Sequence, residues 1–266
     1  MKKTVIILSV FVLITSACNQ APKKQVITNE NVEDTLTTVN NIDLVEAQNT
    51  NDKPLFYIQE IDSLTYFTLK EKTNIPERNL EKITDLEQVK SILKGRVIWG
   101  KYNEETGRIL EDEQGEFVYK IIFRNGKILS FDYPEGLFIA YFPQEDILFL
   151  EGEHTSDVIF NLTTGAETDD VGNPSNIIYS PSKQHRLNMY HNGQISIYFI
   201  QEKSGTEYQT TIQLTWGSLF EKYIGFIPEY LFGEFWQNDT ILNFIAPRYF
   251  YSENKTEKFY YQLILK

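Results

Sequence analysis

Residues 54–266 read as an all-β, mainly antiparallel domain that carries one short helix near 85–94. Three observations support this. From Leu55 onward the chain consists of short runs of β-branched and aromatic residues separated by turn chemistry. Tyr208, Thr210, Ile212, Leu214 and Trp216 alternate with polar Gln209, Thr211, Gln213 and Thr215, the period of two expected of a strand with one buried face. Two Asn-Gly pairs, Asn125-Gly126 and Asn192-Gly193, interrupt apolar runs and mark hairpins, for which a type I′ turn asks positive φ at both central residues.

Ahead of that domain, residues 1–17 form a secretory signal. Lys2 and Lys3 supply positive charge, Val5 to Ile14 an apolar run, and Thr15-Ser16-Ala17 a small-residue approach to a cleavage point. The ten-residue run falls short of the about 20 apolar residues a membrane span needs. Cys18, the one cysteine of the chain, follows directly. This stretch resembles the lipobox of bacterial lipoproteins, with Thr15 where Leu is usual. The resemblance implies a diacylglyceryl thioether and an acylated amine on Cys18, and more than one acyl chain anchors stably where a single chain is marginal. The membrane is therefore an expected partner through the lipid on Cys18, and the expected location is the cell envelope. In the sorting rule of this class an Asp after the cysteine retains the protein at the inner membrane, so Asn19 favours the outer one.

Residues 18–53 are expected to be a disordered tether. Aromatic residues make up 14% of the sequence, yet none falls between Asn19 and Pro54. A segment with so little to bury cannot offset its ordering entropy. About 35 flexible residues reach roughly 30–35 Å. Asp34-Thr35-Leu36 within it matches the Asp-Ser/Thr-apolar pattern of bacterial O-glycosylation, which makes Thr35 a modification candidate; Asp62-Ser63-Leu64 and Asp239-Thr240-Ile241 match as well.

Within the domain, Thr84-Asp85-Leu86-Glu87 has the form of a capping box. Leu86, Val89, Ile92 and Leu93 follow at helical spacing, and Gly95 closes the segment. The helix should pack on the sheet that begins at Arg96-Val97-Ile98-Trp99. Further along, units starting near Phe142, Tyr179 and Phe235 each run from an aromatic through a polar turn to two apolar strands. Their spacing of roughly 40–55 residues falls in the blade range of β-propellers, so the expected architecture is propeller-like with degenerate blades. Gly172-Asn173-Pro174, Tyr179-Ser180-Pro181-Ser182-Lys183, Trp216-Gly217 and Trp236-Gln237-Asn238-Asp239-Thr240-Ile241 resemble the G-x-P, F-S-P-D-x-K, W-G and W-x-x-D-T-I pieces of propeller-like bacterial lipoproteins of unknown function. Ser182 stands where that pattern has Asp.

With 25 basic and 37 acidic residues the formal charge is −12, and removing Lys2 and Lys3 with the signal makes it −14. Such a surface repels phosphate backbones, which excludes nucleic acid as a partner. No cysteine remains beyond Cys18, so neither a disulfide framework nor a cysteine nucleophile is available. There is no G-x-S-x-G, no H-E-x-x-H and no Gly-rich phosphate loop. No cofactor is expected. Glu151, Glu153 and His154 are the densest group of metal-ligating types, but the glycine and the charge density are what an exposed acidic turn requires, so no metal site is expected there. Tyr249-Phe250-Tyr251 is the leading ligand-binding candidate, because neighbouring strand residues point to opposite faces and at least one must face outward if one face is buried. Tyr190, Tyr230, Phe232 and Trp236 are secondary aromatic candidates. The expected function is a lipid-anchored, non-catalytic binding module for another envelope protein or a glycan. A surface hydrolase acting on glycan or peptide, or a structural accessory subunit, are the alternatives.

Overall fold

The computed structural model describes residues 55–75, 80–215 and 219–266. The signal at 1–17, Cys18, the 18–53 tether, Thr35, Trp216 and Gly217 lie outside these. The described residues are mostly antiparallel β in four sheets. They open with strand β1 (Phe56–Ile61), helix α1 (Ser63–Lys72) and helix α2 (Leu86–Ile92).

Sheet I holds β2 (Val97–Asn103), β3 (Arg108–Glu111), β4 (Phe117–Ile122) and β5 (Ile128–Ser130) in the order β3-β2-β4-β5. Sheet II is the meander β6 (Leu137–Phe142), β7 (Ile147–Glu151) and β8 (Asp157–Asn161). A one-turn helix α3 (Thr168–Val171) leads to sheet III, the meander β9 (Ile178–Tyr179), β10 (His185–His191), β11 (Ser196–Ser204) and β12 (Glu207–Gln213). After helix α4 (Leu219–Ile224) come β13 (Phe232–Trp236), β14 (Ile241–Phe250) and β15 (Lys255–Leu265). Together with β1 they form sheet IV in the order β1-β15-β14-β13.

Sheet I departs from a simple meander because the β3–β4 connection passes over β2. Two glycines permit the crossing. A Cβ on Gly115 would lie 2.1 Å from the Gly100 carbonyl, and one on Gly100 would lie 2.3 Å from Ile109 Cγ2.

The cores lie between successive sheets. Val97, Trp99, Ile121, Leu148, Leu150 and Phe160 fill the space between I and II, with Val89 of α2 and Leu93 at its C-cap. Phe142, Ile147, Phe149 and Ile159 of II meet Tyr190, Ile197 and Phe199 of III. Leu187, Tyr198, Ile200 and Ile212 of III meet Trp236, Leu242, Phe244 and Leu263 of IV. Each fully buried side chain of this size contributes roughly 1.5–3 kcal/mol. Because β11 sends Ile197 and Phe199 to one neighbour and Tyr198 and Ile200 to the other, it is apolar on both sides and shows no one-face alternation. The alternation expected from Tyr208 onward holds for β12, where Ile212 is buried and Gln209, Thr211 and Gln213 are exposed.

Helix α2 forms where expected, shifted by one residue at its start. Asp85, not Thr84, is the N-cap and accepts from the Gln88 amide at 2.8 Å. Glu87 pairs with Lys90 at 2.8 Å instead of closing a capping box. The expectation of a single helix is corrected by α1 and α4. Helix α1 is capped by Asp62, which accepts from the Thr65 amide at 2.9 Å. Only Tyr66 along it is buried, so no apolar stripe marks it in the sequence. The hairpins also differ from type I′. Gly126 and Gly193 have φ +90°, but their asparagines do not enter the positive region. Arg124-Asn125-Gly126 forms a three-residue loop closed by Phe123 N to Lys127 O at 2.9 Å, a type I turn with the glycine left-handed.

Candidate functional site

Two surfaces gather chemistry. The first is the distal end of the β14–β15 hairpin, where the aromatic trio sits. Tyr249 and Tyr251 are 41% and 85% exposed, and their rings meet edge to face with centroids 4.8 Å apart. The Tyr249 hydroxyl bonds the Asn254 side chain across the turn. Phe250 is half-buried, and the Arg248 guanidinium lies 5.0 Å from its ring and 5.2 Å from that of Phe226. Strand alternation separates exposed Tyr249 from half-buried Phe250, and Tyr251 follows in the turn beyond β14 with its ring against that of Tyr249. A shallow groove of about 520 Å³ runs beside the pair, with Ile227, Glu229, Tyr230 and Arg248 on its walls. Such a surface offers ring faces, a guanidinium donor and a carboxylate acceptor within one groove. Of the secondary candidates, Tyr230 is exposed at this groove, Phe232 is half-buried beside it at 6.0 Å, and Tyr190 and Trp236 belong to the cores.

The second surface is a cleft of about 680 Å³ where sheets II and III diverge. One end of the facing strands is held together by the apolar core around Ile197 and Phe199. Toward the other end, sheet III lines the cleft with Tyr179, Lys203 and Tyr208 and holds Arg186 and Gln201 buried among them, in registers that place Arg186 opposite Tyr179 and Gln201, and Lys203 opposite Tyr208. Arg186 is buried. Its Nη1 donates to Glu145 Oε2 at 2.9 Å, its Nε donates to Gln201 Oε1 at 2.7 Å, and its guanidinium carbon lies 3.9 Å from the Tyr208 ring centre. Tyr179 donates to the other Glu145 oxygen at 2.7 Å. Burial, reinforced by Glu145, holds the Tyr179 phenol well above its ordinary value, and burial raises Tyr208 likewise. Both remain protonated at neutral pH. Sequence reasoning missed this cleft, because its residues come from strands whose pairing no local pattern reveals. The closest signal was the Tyr179-Ser180-Pro181-Ser182-Lys183 turn.

The structure does not bring Glu151, Glu153 and His154 together. Glu151 ends β7, and Glu153 and His154 occupy an exposed 3-10 turn in which His154 has φ +54°. Among the described residues, no group of three His, Cys, Asp or Glu side chains converges on a metal position. The other histidines have structural partners. His185 Nδ1 donates to the Asp239 carbonyl at 2.7 Å, and the His191 amide donates to Asp157 at 2.9 Å. Two of the Asp-Ser/Thr-apolar matches also have local roles. Asp62 caps α1, and Asp239 accepts from the Ser182 amide at 2.8 Å. Among the described residues, no helix is long and apolar enough to cross a membrane.

No family model, no curated protein and no solved structure matches this chain.

Proposed function

We propose that this chain is a lipid-anchored cell-envelope protein whose β-domain, a propeller-like arc of degenerate blades, binds an envelope glycan without catalysing a reaction on it. The observation that carries the reading is the outward Tyr249–Tyr251 pair beside Arg248 and Glu229. Exposed apolar surface rimmed by polar groups marks interaction sites, and sugars present the matching alternation of C–H patches and hydroxyls. The arc is supported by cores that join sheets I to IV in chain order. The anchor is supported by the apolar run and the small residues ahead of Cys18. The non-catalytic reading is supported by the carboxylates at the two surfaces. Glycoside hydrolysis needs a pair facing each other across a cleft, whereas Glu145 is the one carboxylate lining the larger cleft and is held by Arg186 and Tyr179.

The test has two arms. Metabolic labelling with a fatty acid should mark the wild type and not Cys18→Ala; equal labelling of both would refute the anchor. Binding to isolated envelope polysaccharide should drop at least tenfold in Tyr249→Ala/Tyr251→Ala. Undiminished binding would remove the hairpin tip from the function.

A further inference from the structure

The cleft between sheets II and III has a charge pattern opposite to that of the molecule around it. Lys82 reaches it from the segment before α2, Lys183 from the β9–β10 turn and Lys203 from β11. Among the described residues none of these three lysines forms an ion pair, while the lining carboxylate, Glu145, is already paired with Arg186. The cleft therefore holds three ammonium groups without counter-charge in a chain of formal charge −12.

We propose that this cleft binds a small molecule bearing two or more closely spaced oxyanion groups, phosphate or carboxylate, at a site separate from the tyrosine pair. Its volume of about 680 Å³ suits a ligand of that size. Low-dielectric walls focus the field of the lysines onto the interior, and ammonium groups bind phosphate as point charges.

The lysines stand on a rigid frame. Lys183 has φ +59° at the tip of a tight turn, where its amide donates to the Ser180 carbonyl at 2.8 Å. Its own carbonyl accepts from the Tyr208 hydroxyl at 2.6 Å, tying the turn to β12. The Lys203 amide, on β11, donates to the Gln184 carbonyl at 2.8 Å, which ties that strand to the residue after Lys183. Buried Arg186 braces two lining residues, bonding Glu145 and stacking on Tyr208, and is itself held by Gln201. The backbone that carries Lys183 and Lys203 is already held, so binding has to order only the lysine side chains.

The full chain, solubilised in detergent, would be titrated calorimetrically at low salt with tripolyphosphate, with trigalacturonate and with neutral maltotriose. The two anions separate a phosphate ligand from a carboxylated sugar, and binding of at least one is expected, weakening as salt is raised. The triple variant Lys82→Gln/Lys183→Gln/Lys203→Gln should bind the preferred anion at least tenfold more weakly, with an unchanged circular dichroism spectrum. Each single variant should lose a few-fold, which keeps the test valid if the triple variant misfolds. Lys101→Gln, on sheet I, and Tyr249→Ala/Tyr251→Ala should bind the anion as the wild type does. The proposal is overturned if neither anion binds, if maltotriose binds as tightly, or if the lysine variants retain affinity. A loss of equal size in Lys101→Gln, or loss of anion binding in the tyrosine variant, overturns it as well.

Discussion

The indole Nε1 of Trp236 donates a 2.9 Å hydrogen bond to the carbonyl of Ile178, joining sheet IV to the outermost strand of sheet III. The same indole lies nearly parallel to the His185 ring at 6.0 Å. Three residues further on, Asp239 holds the Ser182 amide. The Tyr179–Lys183 turn and the Trp236–Ile241 segment are thus the two sides of one seam. Trp236→Phe removes the donor, leaves the Ile178 carbonyl without its partner and opens space in a closed core. We expect a loss of about 2–4 kcal/mol in urea unfolding, with the strand content unchanged.

Asp146 sits at the β6–β7 turn with φ +52°. It accepts from Arg124 Nε at 2.5 Å, from the Thr163 hydroxyl at 2.6 Å and from the Tyr141 hydroxyl at 2.8 Å. Burial alone would raise its pKa, but these bonds outweigh it and hold the carboxyl below its ordinary value. A depressed carboxyl stabilises the fold above its unfolded pKa of about 3.8 and loses that contribution as pH falls through the folded value. Asn tolerates the left-handed backbone, so Asp146→Asn isolates the charge. It should cost about 2 kcal/mol at pH 7, moderated by the partial exposure of Arg124. The difference from wild type should shrink in acid unfolding below about pH 4.

Asp157 behaves with the opposite sign. Burial, only partly countered by the His191 amide and Asn173, raises its pKa. Its contribution is complete below the unfolded value and is lost as pH rises through the folded one. Asp157→Asn keeps a carbonyl for the His191 amide and carries no charge. Its thermal midpoint should exceed that of the wild type at pH 7 and converge with it near pH 3; a gain that grows toward acid would contradict this.

Gly115→Ala places a methyl against the Gly100 carbonyl, and backbone on both sides cannot yield as a side chain would. The expected cost is about 1–3 kcal/mol by thermal unfolding. Gly205→Ala, a glycine with φ +65° and nothing within 4 Å of the added Cβ, tests the backbone effect without the clash.

The β content, helix α2 and the strand pairs around Phe142, Tyr179 and Phe235 were legible in the sequence, because each follows from local period or turn chemistry, whereas for Tyr249, Phe250 and Tyr251 strand period required only that at least one face outward. Helix α1 was not, since Tyr66 is its one buried residue and Leu64 and Phe67 face solvent. The crossed order of sheet I was also hidden, because it depends on glycines fifteen positions apart that touch only when folded. The cleft depends on Arg186 meeting Glu145 and on Tyr208 meeting Lys183, contacts between residues 41 and 25 positions apart. No window short enough to show periodicity contains both partners.

Strand β1 pairs along its whole length with β15, from Phe56 opposite Leu265 to Ile61 opposite Tyr260. The Lys266 amide returns to the Leu55 carbonyl at 3.0 Å. This ordering imposes a schedule. While the chain is emerging from a ribosome or a translocation pore, β1 has no strand to pair with until more than 190 further residues have followed it. Sheets I to III can close from their own local hairpins in the meantime. Sheet IV cannot, and the loop closure it awaits is entropically the most demanding of the fold. The strand nearest residue 54 is thus the first to be made and among the last to be secured, so a chain halted short of residue 255 would hold three closed sheets and one open edge.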